Sequence, residues 1–327
     1  MTAPNRTALI FGISGQDGAY LAQLLLDKGY SVHGTSRDAE ILTFAALEAL
    51  GIRDRVSLAS AVPTDFRSVV QAIDRAAPDE IYNLSGQSSV GLSFQEPVET
   101  LQSISIGTLN ILESIRFLKR PVRFYSACSS ECFGNTGDRP ADETTVFRPR
   151  SPYGVAKAAA FWEVANYRES YGLFACSGLL FNHESPLRPT RFVTRKIVSA
   201  AARIAAGSGE MLTLGNISVS RDWGWAPEYV DAMWRMLQAP EPDDFVIATG
   251  ISHRLEDFVV AAFAHFDLDW HDHVKLDEAL HRPTDLASSV GNAGKAEQAL
   301  GWRARTVMPE LVGLMAGAEA QSLQTKS

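Results

Sequence analysis

The stretch TALIFGISGQDG, residues 7–18, decides the fold of this chain. The run Thr7–Phe11 is apolar enough for a buried strand, and glycines follow at positions 12, 15 and 18. Glycines let the backbone turn tightly and approach a pyrophosphate at the N-terminus of the next helix. A GxxGxxG pattern alone is weak, but between a strand and a helix it predicts a dinucleotide-binding turn. The residues assigned to this turn are Gly12, Ser14, Gly15, Gln16, Asp17 and Gly18.

Apolar strands and amphipathic helices alternate over the first half of the chain. The predicted strands are Thr7–Phe11, Ser31–Gly34, Glu80–Leu84, Val122–Ser126 and Phe174–Leu180, and the predicted helices include Tyr20–Lys28, Leu101–Leu118 and Tyr153–Tyr171. This alternation predicts an α/β protein with a doubly wound, parallel sheet of the Rossmann type.

The pattern changes after Phe181. Loops are predicted over 182–195 and 215–225, helices over 192–206 and 227–237, one more strand of the main sheet over 245–248, and mainly helix beyond it. We therefore expect two domains. The first is a dinucleotide-binding domain of residues 1–181 plus about 226–250, and the second is a smaller, mostly helical substrate-binding lobe of about 182–225 plus 251–327.

The composition is that of an ordinary soluble globular protein, with 46% hydrophobic and 21% charged residues. The net charge of −8 argues against a general nucleic-acid binder. No run approaches the roughly 20 apolar residues of a membrane span, and the polar start, Met1–Arg6, is not typical of a signal peptide. Three cysteines without disulfide or metal-ligand spacing favour a reducing cytoplasm and no metal site. A redox or metal pair of Cys128 and Cys132 is the alternative.

Candidate catalytic groups come from two segments. Tyr153 and Lys157, four positions apart, share one face of a helix. A nearby ammonium favours the phenolate, which makes the tyrosine a base. Ser129, at the carboxyl end of a predicted strand, is placed to hydrogen-bond the reacting hydroxyl. Glu131 adds an acid/base group that simple alcohol oxidation does not need. The alternatives are an ordinary amphipathic pair for Tyr153 and Lys157, and a turn cap for Glu131.

The end of the second predicted strand bears on the choice of cofactor. NAD enzymes tend to carry an acidic residue there for the ribose hydroxyls. Here Ser36 and Arg37 are followed by Asp38. An arginine beside a serine suits a 2′-phosphate, which favours NADP over NAD. Asp38 opposes that preference if it points inward, and Arg37 is otherwise a solvated surface charge.

The chain resembles the extended short-chain dehydrogenase/reductases, and within them the GDP-mannose 4,6-dehydratases. The most specific runs are PRSPYGVAK at 149–157, FNHESP at 181–186 and FVTRK at 192–196. Further matching pieces are residues 12–18, 82–84, 87–88, 129–131, 166–169, 221–224 and 282–283. The resemblance covers nearly the whole length.

The resemblance implies an NADP-dependent lyase of nucleotide-sugar metabolism and deoxysugar biosynthesis. Tyr153 would remove the O4 proton of GDP-mannose while C4 gives a hydride to NADP⁺. Glu131 would take the C5 proton and protonate the departing C6 hydroxyl, and the hydride would return to C6. The product would be GDP-4-keto-6-deoxymannose.

The resemblance also implies contacts, residue by residue. The catalytic set is Ser129, Glu131, Tyr153 and Lys157. Besides the turn, the NADP contacts are Ser36, Arg37, Leu84, Ser85, Gln87, Ser88, Tyr153, Lys157, His183 and Arg188. The GDP-sugar contacts are Ser88, Ser129, Glu131, Tyr153, Asn182, Val193, Lys196, Arg221 and Arg282. A solvated basic loop is the alternative for Arg188, Arg191, Arg195 and Lys196.

Several positions depart from the family pattern. Val62 stands where the family has an Asp that accepts from the adenine amino group, and Asp38 replaces the second of two arginines. Glu99 replaces a common Tyr near the cofactor, Ile104 a usual Asp or Asn, and Ser85-Gly86 a small pair. The departures cluster on the cofactor side and leave the choice between NADP and NAD open. They also leave open whether a homodimer or a homotetramer forms, since the family builds its tetramer with the loop that contains Asp38.

Three other functions remain. A GDP-heptose is an alternative substrate. A reductase or epimerase of the same superfamily needs Tyr153 and Lys157 but not Glu131. A nucleotide-binding protein without catalysis would explain the altered adenine-side positions, although Ser129, Glu131, Tyr153 and Lys157 are all present.

Overall fold

A computed structural model describes residues 6–137 and 139–324. The strands are β1 Thr7–Phe11, β2 Ser31–Ser36, β3 Ser57–Ser60, β4 Glu80–Asn83, β5 Arg123–Ser129, β6 Ala175–Leu180, β7 Asn182–Glu184, β8 Leu212–Leu214, β9 Ser220–Trp225, β10 Phe245–Ile247, β11 Ser252–Arg254, β12 Val274–Leu276 and β13 Ser288–Ser289. The helices are α1 Gln16–Asp27, α2 Ala45–Ala49, α3 Phe66–Ala76, α4 Val90–Ser93, α5 Pro97–Leu101, α6 Gly107–Leu118, α7 Pro152–Tyr171, α8 Val193–Ala205, α9 Ala226–Gln238, α10 Leu255–Ala264, α11 Gly294–Leu300 and α12 Met308–Gln324.

The main sheet has seven parallel strands in the order β3-β2-β1-β4-β5-β6-β10. The strand order reverses between β1 and β4, and ligands of open α/β sheets bind at such a point, outside the carboxyl ends of the strands. Phe11 pairs with both Thr35 and Asn83, and Ser129 pairs with Leu180. The segments that follow β1, β4, β5 and β6 therefore meet at one edge. The predicted doubly wound α/β fold is confirmed.

Helices cover both faces of this sheet. The apolar faces of α1 and α9 pack on one side, with Leu21, Leu25 and Met233 buried there. The other side is covered by α3, α6 and α7, where Ile73, Ile111 and Val164 are buried. The central strands β4 and β6 are buried throughout because both faces of the sheet are covered there, whereas the edge strand β3 has no buried residue.

A third apolar cluster lies under the helices α8, α10 and α12. It includes Ile197, Phe258 and Leu311, and Trp223 of β9 packs against it. This cluster supports the segments around 193–225 and 255–316 that face the carboxyl edge of the main sheet.

Two predicted loops contain strands. Asn182–Glu184 forms β7 and Ser220–Trp225 forms β9, and the two pair in parallel. Their residues are mostly polar or aromatic and show no apolar alternation, so their pairing depends on tertiary contacts that local pattern does not reveal. The part beyond 250, predicted mainly helical, also contains β11, β12 and β13.

The bounds of other elements shift by a few residues. Helix α1 begins at Gln16, four residues before the predicted start, and β5 runs on to Ser129. The helix predicted over 101–118 is interrupted by a π-helical segment, Gln102–Ile106, before α6.

The two-domain division stays a prediction. Its outer limits include residues 1–5 and 325–327, which lie outside the described residues. Within the described ranges, no helix combines the length and the hydropathy needed to cross a membrane.

Candidate active site

A cavity of about 550 Å³ lies at the carboxyl edge of the main sheet. It brings together all four predicted catalytic residues and every predicted GDP-sugar contact. The predicted residues that line it are Asp17, Leu84, Ser88, Ser129, Glu131, Tyr153, Lys157, Asn182, His183, Arg188, Val193, Lys196, Arg221 and Arg282.

The segment after β5 presents two of these groups. Ser129 ends the strand, and a 3₁₀ turn, Ser130–Cys132, follows. The Ser129 Oγ caps this turn by accepting the N–H of Glu131 at 3.3 Å. This turn is capped by the serine and not by the Glu131 carboxyl. The Glu131 side chain lines the cavity instead.

The Glu131 carboxyl has a pKa above its ordinary value. Burial raises this pKa, the guanidinium groups of Arg221 and Arg282 oppose the rise, and the Asp285 carboxylate adds to it. A carboxyl with a raised pKa accepts and returns a proton more readily near neutral pH, which is the property of a general acid/base.

Asp285 holds the two arginines that face Glu131. Its Oδ1 lies 2.9 Å from Nη2 of Arg221 and 3.4 Å from Nη1 of Arg282. Arg221 is almost fully buried and also donates to the carbonyl of Leu286 at 2.7 Å. Sequence reasoning missed Asp285. The available signal was a carboxylate three residues after a predicted anion-binding arginine.

Helix α7 positions the tyrosine and the lysine. Ser151 caps its N-terminus by accepting the N–H of Gly154 at 3.0 Å, and Pro152 occupies the first turn. Tyr153 and Lys157 are both buried on the face toward the cavity. A Cβ on Gly154 would lie 2.8 Å from the Glu131 carbonyl oxygen, so only glycine permits this approach. Helix α7 therefore packs directly against the Glu131 segment.

The pKa of Tyr153 is shifted in the direction opposite to the prediction. Burial raises it well above its ordinary value, and a hydrogen bond with Ser129 opposes the rise. The Lys157 ammonium lies 5.8 Å from the centre of the Tyr153 ring and donates to the carbonyl of Ala127 at 2.6 Å. Burial lowers the pKa of Lys157. In this geometry loss of solvation outweighs the charge of the lysine.

The glycine turn fits a dinucleotide diphosphate. Gly12 has φ +87°, and a Cβ on it would lie 2.8 Å from the Leu84 backbone, so the turn requires glycine. Gly15 is the N-cap of α1 and provides no capping side chain. The first N–H groups of the helix are therefore left for an anion from outside the chain.

A partly buried ion pair joins this turn to the segment after β6. Nε2 of His183 lies 2.9 Å from Oδ2 of Asp17, and Nδ1 lies 2.8 Å from the carbonyl of Phe181. Both partners are acceptors, so both ring nitrogens carry protons. Burial lowers the pKa of His183, but the Asp17 carboxylate raises it by more, so this pKa lies above its ordinary value. Burial raises the pKa of Asp17, but His183 lowers it by more, so this pKa lies below its ordinary value.

The basic segment after β7 is not a uniformly solvated loop. Arg188 pairs with Glu184 at 3.2 Å and, with Arg191, lines the cavity. Lys196 donates to the carbonyl of Thr213 at 2.7 Å at the cavity wall. Arg195 pairs with Glu319 of α12 at 2.5 Å.

The remaining predicted cofactor residues are not part of the cavity lining: Gly12, Ser14, Gly15, Gln16, Gly18, Ser36, Arg37, Ser85 and Gln87. Nη1 of Arg37 is 3.8 Å from Oε1 of Glu99, and both side chains are exposed. The Asp38 Oδ1 accepts the N–H groups of Glu40 and Ile41, so this carboxylate is engaged by its own loop.

Other cavity residues had no predicted role in catalysis or in substrate and cofactor binding. They include Glu184, which is buried and accepts from Thr194 Oγ1 at 2.8 Å, and Cys128 beside Ser129. Over the described ranges, no group of three or more metal-ligating side chains occurs.

A family model described as GDP-mannose 4,6 dehydratase matches residues 9–315. The chain belongs to the GDP-mannose 4,6-dehydratase family. It is 44% identical to GDP-mannose 4,6 dehydratase 1 of Arabidopsis thaliana, with 95% of this chain and 89% of the relative covered. It is 42% identical to the GDP-mannose 4,6 dehydratase of Homo sapiens, with 99% and 94% covered.

Solved structures share the fold at low sequence identity. The dTDP-glucose 4,6-dehydratase of Bacillus anthracis in complex with NAD is 15% identical, with a TM-score of 0.84 and 98% of each chain covered. The RMD protein of Pseudomonas aeruginosa complexed with NADPH is 20% identical, with a TM-score of 0.80 and 97% of this chain and 100% of that chain covered. These likenesses show that this member of the GDP-mannose 4,6-dehydratase family shares its fold with both proteins.

Proposed function

We propose that this protein is a hydro-lyase that converts GDP-mannose to GDP-4-keto-6-deoxymannose by removing water across C5 and C6. The observation that carries this proposal is the position of Glu131. Its carboxyl shares one cavity with Tyr153 and Ser129, has a raised pKa, and faces two arginines. A reductase or epimerase on the same scaffold has no use for this group.

The first proton transfer belongs to Tyr153 in this proposal. Its phenol takes the O4 proton of the hexose, and the Ser129 hydroxyl orients that oxygen. A phenolate requires a cation nearer than in this structure, because burial now holds the Tyr153 pKa high. Lys157 lies on the same helix face. Its ammonium would become this nearer cation by turning from the Ala127 carbonyl toward the Tyr153 oxygen.

Glu131 does the work specific to a dehydratase. Once C4 is a ketone, the C5 proton is acidic, and the Glu131 carboxylate takes it. The same carboxyl then returns a proton to the C6 oxygen, so that water leaves. One group serves both steps because its raised pKa lets it act in either direction.

A nicotinamide dinucleotide is the proposed cofactor, and when bound it accepts a hydride from C4 and returns one to C6. The uncapped N-terminus of α1 would hold its diphosphate, and Lys157, His183 and Arg188 would contact it. Of the two forms we propose NADP, because Arg37 follows β2 and suits a 2′-phosphate. NAD is the alternative.

The GDP-sugar is proposed to bind with its diphosphate between Arg221 and Arg282. Both guanidinium groups line the cavity close to Glu131, so a hexose linked to that diphosphate reaches the acid/base group. Planar guanidinium groups pair well with phosphate oxygens. Lys196 and Asn182 would complete the polar contacts, and Ser88 and Val193 would line the same site.

A homo-oligomer and a cytoplasmic location complete the proposal. Ile106 and Phe117 on α6 and its preceding turn, and Val155 and Trp162 on α7, are exposed at helical spacing. Two adjacent helices that expose large apolar side chains support a dimer, in which the same two helices of a second copy would cover them. Three free thiols support a reducing compartment.

Mass spectrometry tests the proposal directly. Purified protein with GDP-mannose and NADP⁺ is expected to form a product lighter by one water, without net accumulation of NADPH. Continued growth of NADPH absorbance identifies a simple dehydrogenase and overturns the proposal. No mass change with any member of a panel of GDP-hexoses and GDP-heptoses overturns it as well.

A further inference from the structure

Two buried thiols enclose the catalytic segment. Cys128 lies near the end of β5 and Cys132 ends the 3₁₀ turn, so Ser129, Ser130 and Glu131 lie between them. The two Sγ atoms are 3.5 Å apart, and neither thiol has a role in the proposed reaction.

The two thiols have different surroundings. Cys128 lines the cavity and is 6% exposed, whereas Cys132 is fully buried. The Cys128 Sγ lies 3.6 Å from the Lys157 carbonyl oxygen, and the Cys132 Sγ lies 3.8 Å from that of Gly154. The pair is therefore open to small solutes on the Cys128 side only.

The pKa values of the two thiols are shifted in opposite directions. Burial raises the pKa of each thiol. For Cys128 a hydrogen bond from Cys132 and the Lys157 ammonium reverse this, and its pKa falls below the ordinary value. For Cys132 the neighbouring sulfur adds to the rise, and its pKa is well above the ordinary value. The more accessible thiol is thus also the better nucleophile.

We propose that Cys128 is a peroxide-reactive modification site inside the active cavity, and that Cys132 is its resolving partner. Hydrogen peroxide is small enough to reach Cys128 through the cavity. The site is formed by the 3.5 Å contact of two thiols, one of them open to the cavity.

The chemistry balances in two steps. The Cys128 thiolate attacks one oxygen of hydrogen peroxide, the O–O bond breaks, and hydroxide leaves, which gives a sulfenic acid. The Cys132 sulfur then attacks the Cys128 sulfur, the S–O bond breaks, and the hydroxyl leaves as water with the Cys132 proton. Two thiols and one peroxide thus yield one disulfide and two waters, and a dithiol reductant reverses the change.

The disulfide would change the active site because Ser129 and Glu131 lie between the two cysteines. A disulfide requires the sulfurs to approach from 3.5 Å to about 2 Å. The segment that carries Ser129 and Glu131 closes into a small ring and moves against α7. A displacement of about 1 Å at reacting groups reduces turnover by on the order of a hundredfold. This consequence for activity rests on the proposed dehydratase function, whereas formation of the bond does not.

Thiol counting on the intact protein tests the bond. The reduced protein is treated with hydrogen peroxide, quenched with catalase, denatured and alkylated with N-ethylmaleimide. We expect three labelled thiols before oxidation and one after it, with a peptide linked through Cys128 and Cys132. Dithiothreitol should restore both the label count and the dehydration of GDP-mannose. Three labels after oxidation, or a link to Cys176, overturns the proposal.

Two variants make the result specific. Cys132→Ser should stop at a dimedone-reactive sulfenic acid on Cys128. Cys176→Ser is the matched control, since Cys176 is buried in β6 with its Sγ at the Phe124 carbonyl, and it should still form the bond. If Cys132→Ser does not fold, dimedone labelling of the wild-type protein at early times identifies the first thiol oxidised. A disulfide that leaves turnover unchanged rejects the effect on the active site, and a wild-type protein without turnover refutes the proposed function alone.

Discussion

The two ends of the proposed dinucleotide site differ in burial and in how their charges are held. At the catalytic end, Tyr153 and Lys157 are buried and pack against the Glu131 segment. At the adenine end, Arg37 and Glu99 are 81% and 49% exposed and meet at 3.8 Å. Charges in a buried site depend strongly on each neighbour, whereas exposed pairs contribute little. The comparison therefore predicts a chemistry that tolerates few changes and a cofactor preference that single substitutions can alter.

The largest expected effect is at the catalytic end. Glu131→Gln keeps the shape of the side chain but removes its ability to take a proton. We expect the rate of water loss from GDP-mannose to fall by on the order of 10²–10⁴-fold. Binding of GDP, measured by isothermal titration calorimetry, should stay nearly unchanged. Glu48→Gln, an exposed position on α2, is the control. Normal turnover in the Glu131 variant shows that this residue is structural and removes the contrast between the two ends.

The next effect is on stability where the catalytic and cofactor segments meet. Asp17→Asn removes the negative charge that pairs with His183, and we expect a loss of about 2 kcal/mol in the free energy of unfolding. The His183 pKa is raised in the fold, so its contribution is full below its unfolded value of 6.5 and is lost as the pH rises through the folded value. The Asp17 pKa is lowered, so its contribution is full above 3.8 and is lost as the pH falls.

Urea unfolding at several pH values measures this effect. The difference between wild type and Asp17→Asn should be largest between pH 3.8 and 6.5 and should shrink at alkaline pH. Asp27→Asn, exposed at the end of the same helix, is the control. A difference that does not vary with pH contradicts the ion pair.

A smaller effect is expected from Asp285→Asn. The two guanidinium groups lose the carboxylate that orients them, so the KM for GDP-mannose should rise by on the order of tenfold. Asp285 also raises the pKa of Glu131, so its loss should move the acid limb of the kcat profile to lower pH. The exposed Asp272→Asn is the control. An acid limb that stays in place separates Asp285 from the acid/base step.

The smallest effect is expected at the adenine end. Glu99→Gln frees Arg37 for a 2′-phosphate, so NADPH should bind about threefold more tightly while NADH binding stays the same. Nucleotide fluorescence titration measures both without turnover. Glu96→Gln, exposed at the start of the same segment, is the control. An equal change for NADPH and NADH would show that the pair does not read the 2′ position.

The sequence was sufficient for the features that depend on local pattern. The strand Thr7–Phe11, the glycine turn and the helix bearing Tyr153 and Lys157 each combine apolar periodicity with capping or turn residues. Burial and hydrogen bonding then place them as that pattern indicates. The family resemblance added residues far apart in the chain, such as Arg221 and Arg282, which meet in the cavity.

Features set by tertiary contacts could not be predicted from the sequence. Strand β7 exists because it pairs with β9, and β9 because it pairs with β7, β11 and β13, not because of their own residues. The high pKa of Tyr153 comes from burial, which helical spacing does not report. The role of Asp285 likewise depends on how separate segments meet. The contact between the Cys128 and Cys132 sulfurs depends on the sharp turn between β5 and the 3₁₀ segment.

The close approach at Gly154 has a consequence for how the enzyme moves and diversifies. Backbone contact between α7 and the Glu131 segment makes the base and the acid/base group one rigid body. Arg221 and Arg282 lie on other segments, held to each other through Asp285. A displacement of the arginine segments would thus change the contacts to the nucleotide while the spacing of the proton-transferring groups stays constant. Substitutions on the arginine side can likewise alter which sugar nucleotide is bound, and they act on the reaction through the pKa of Glu131.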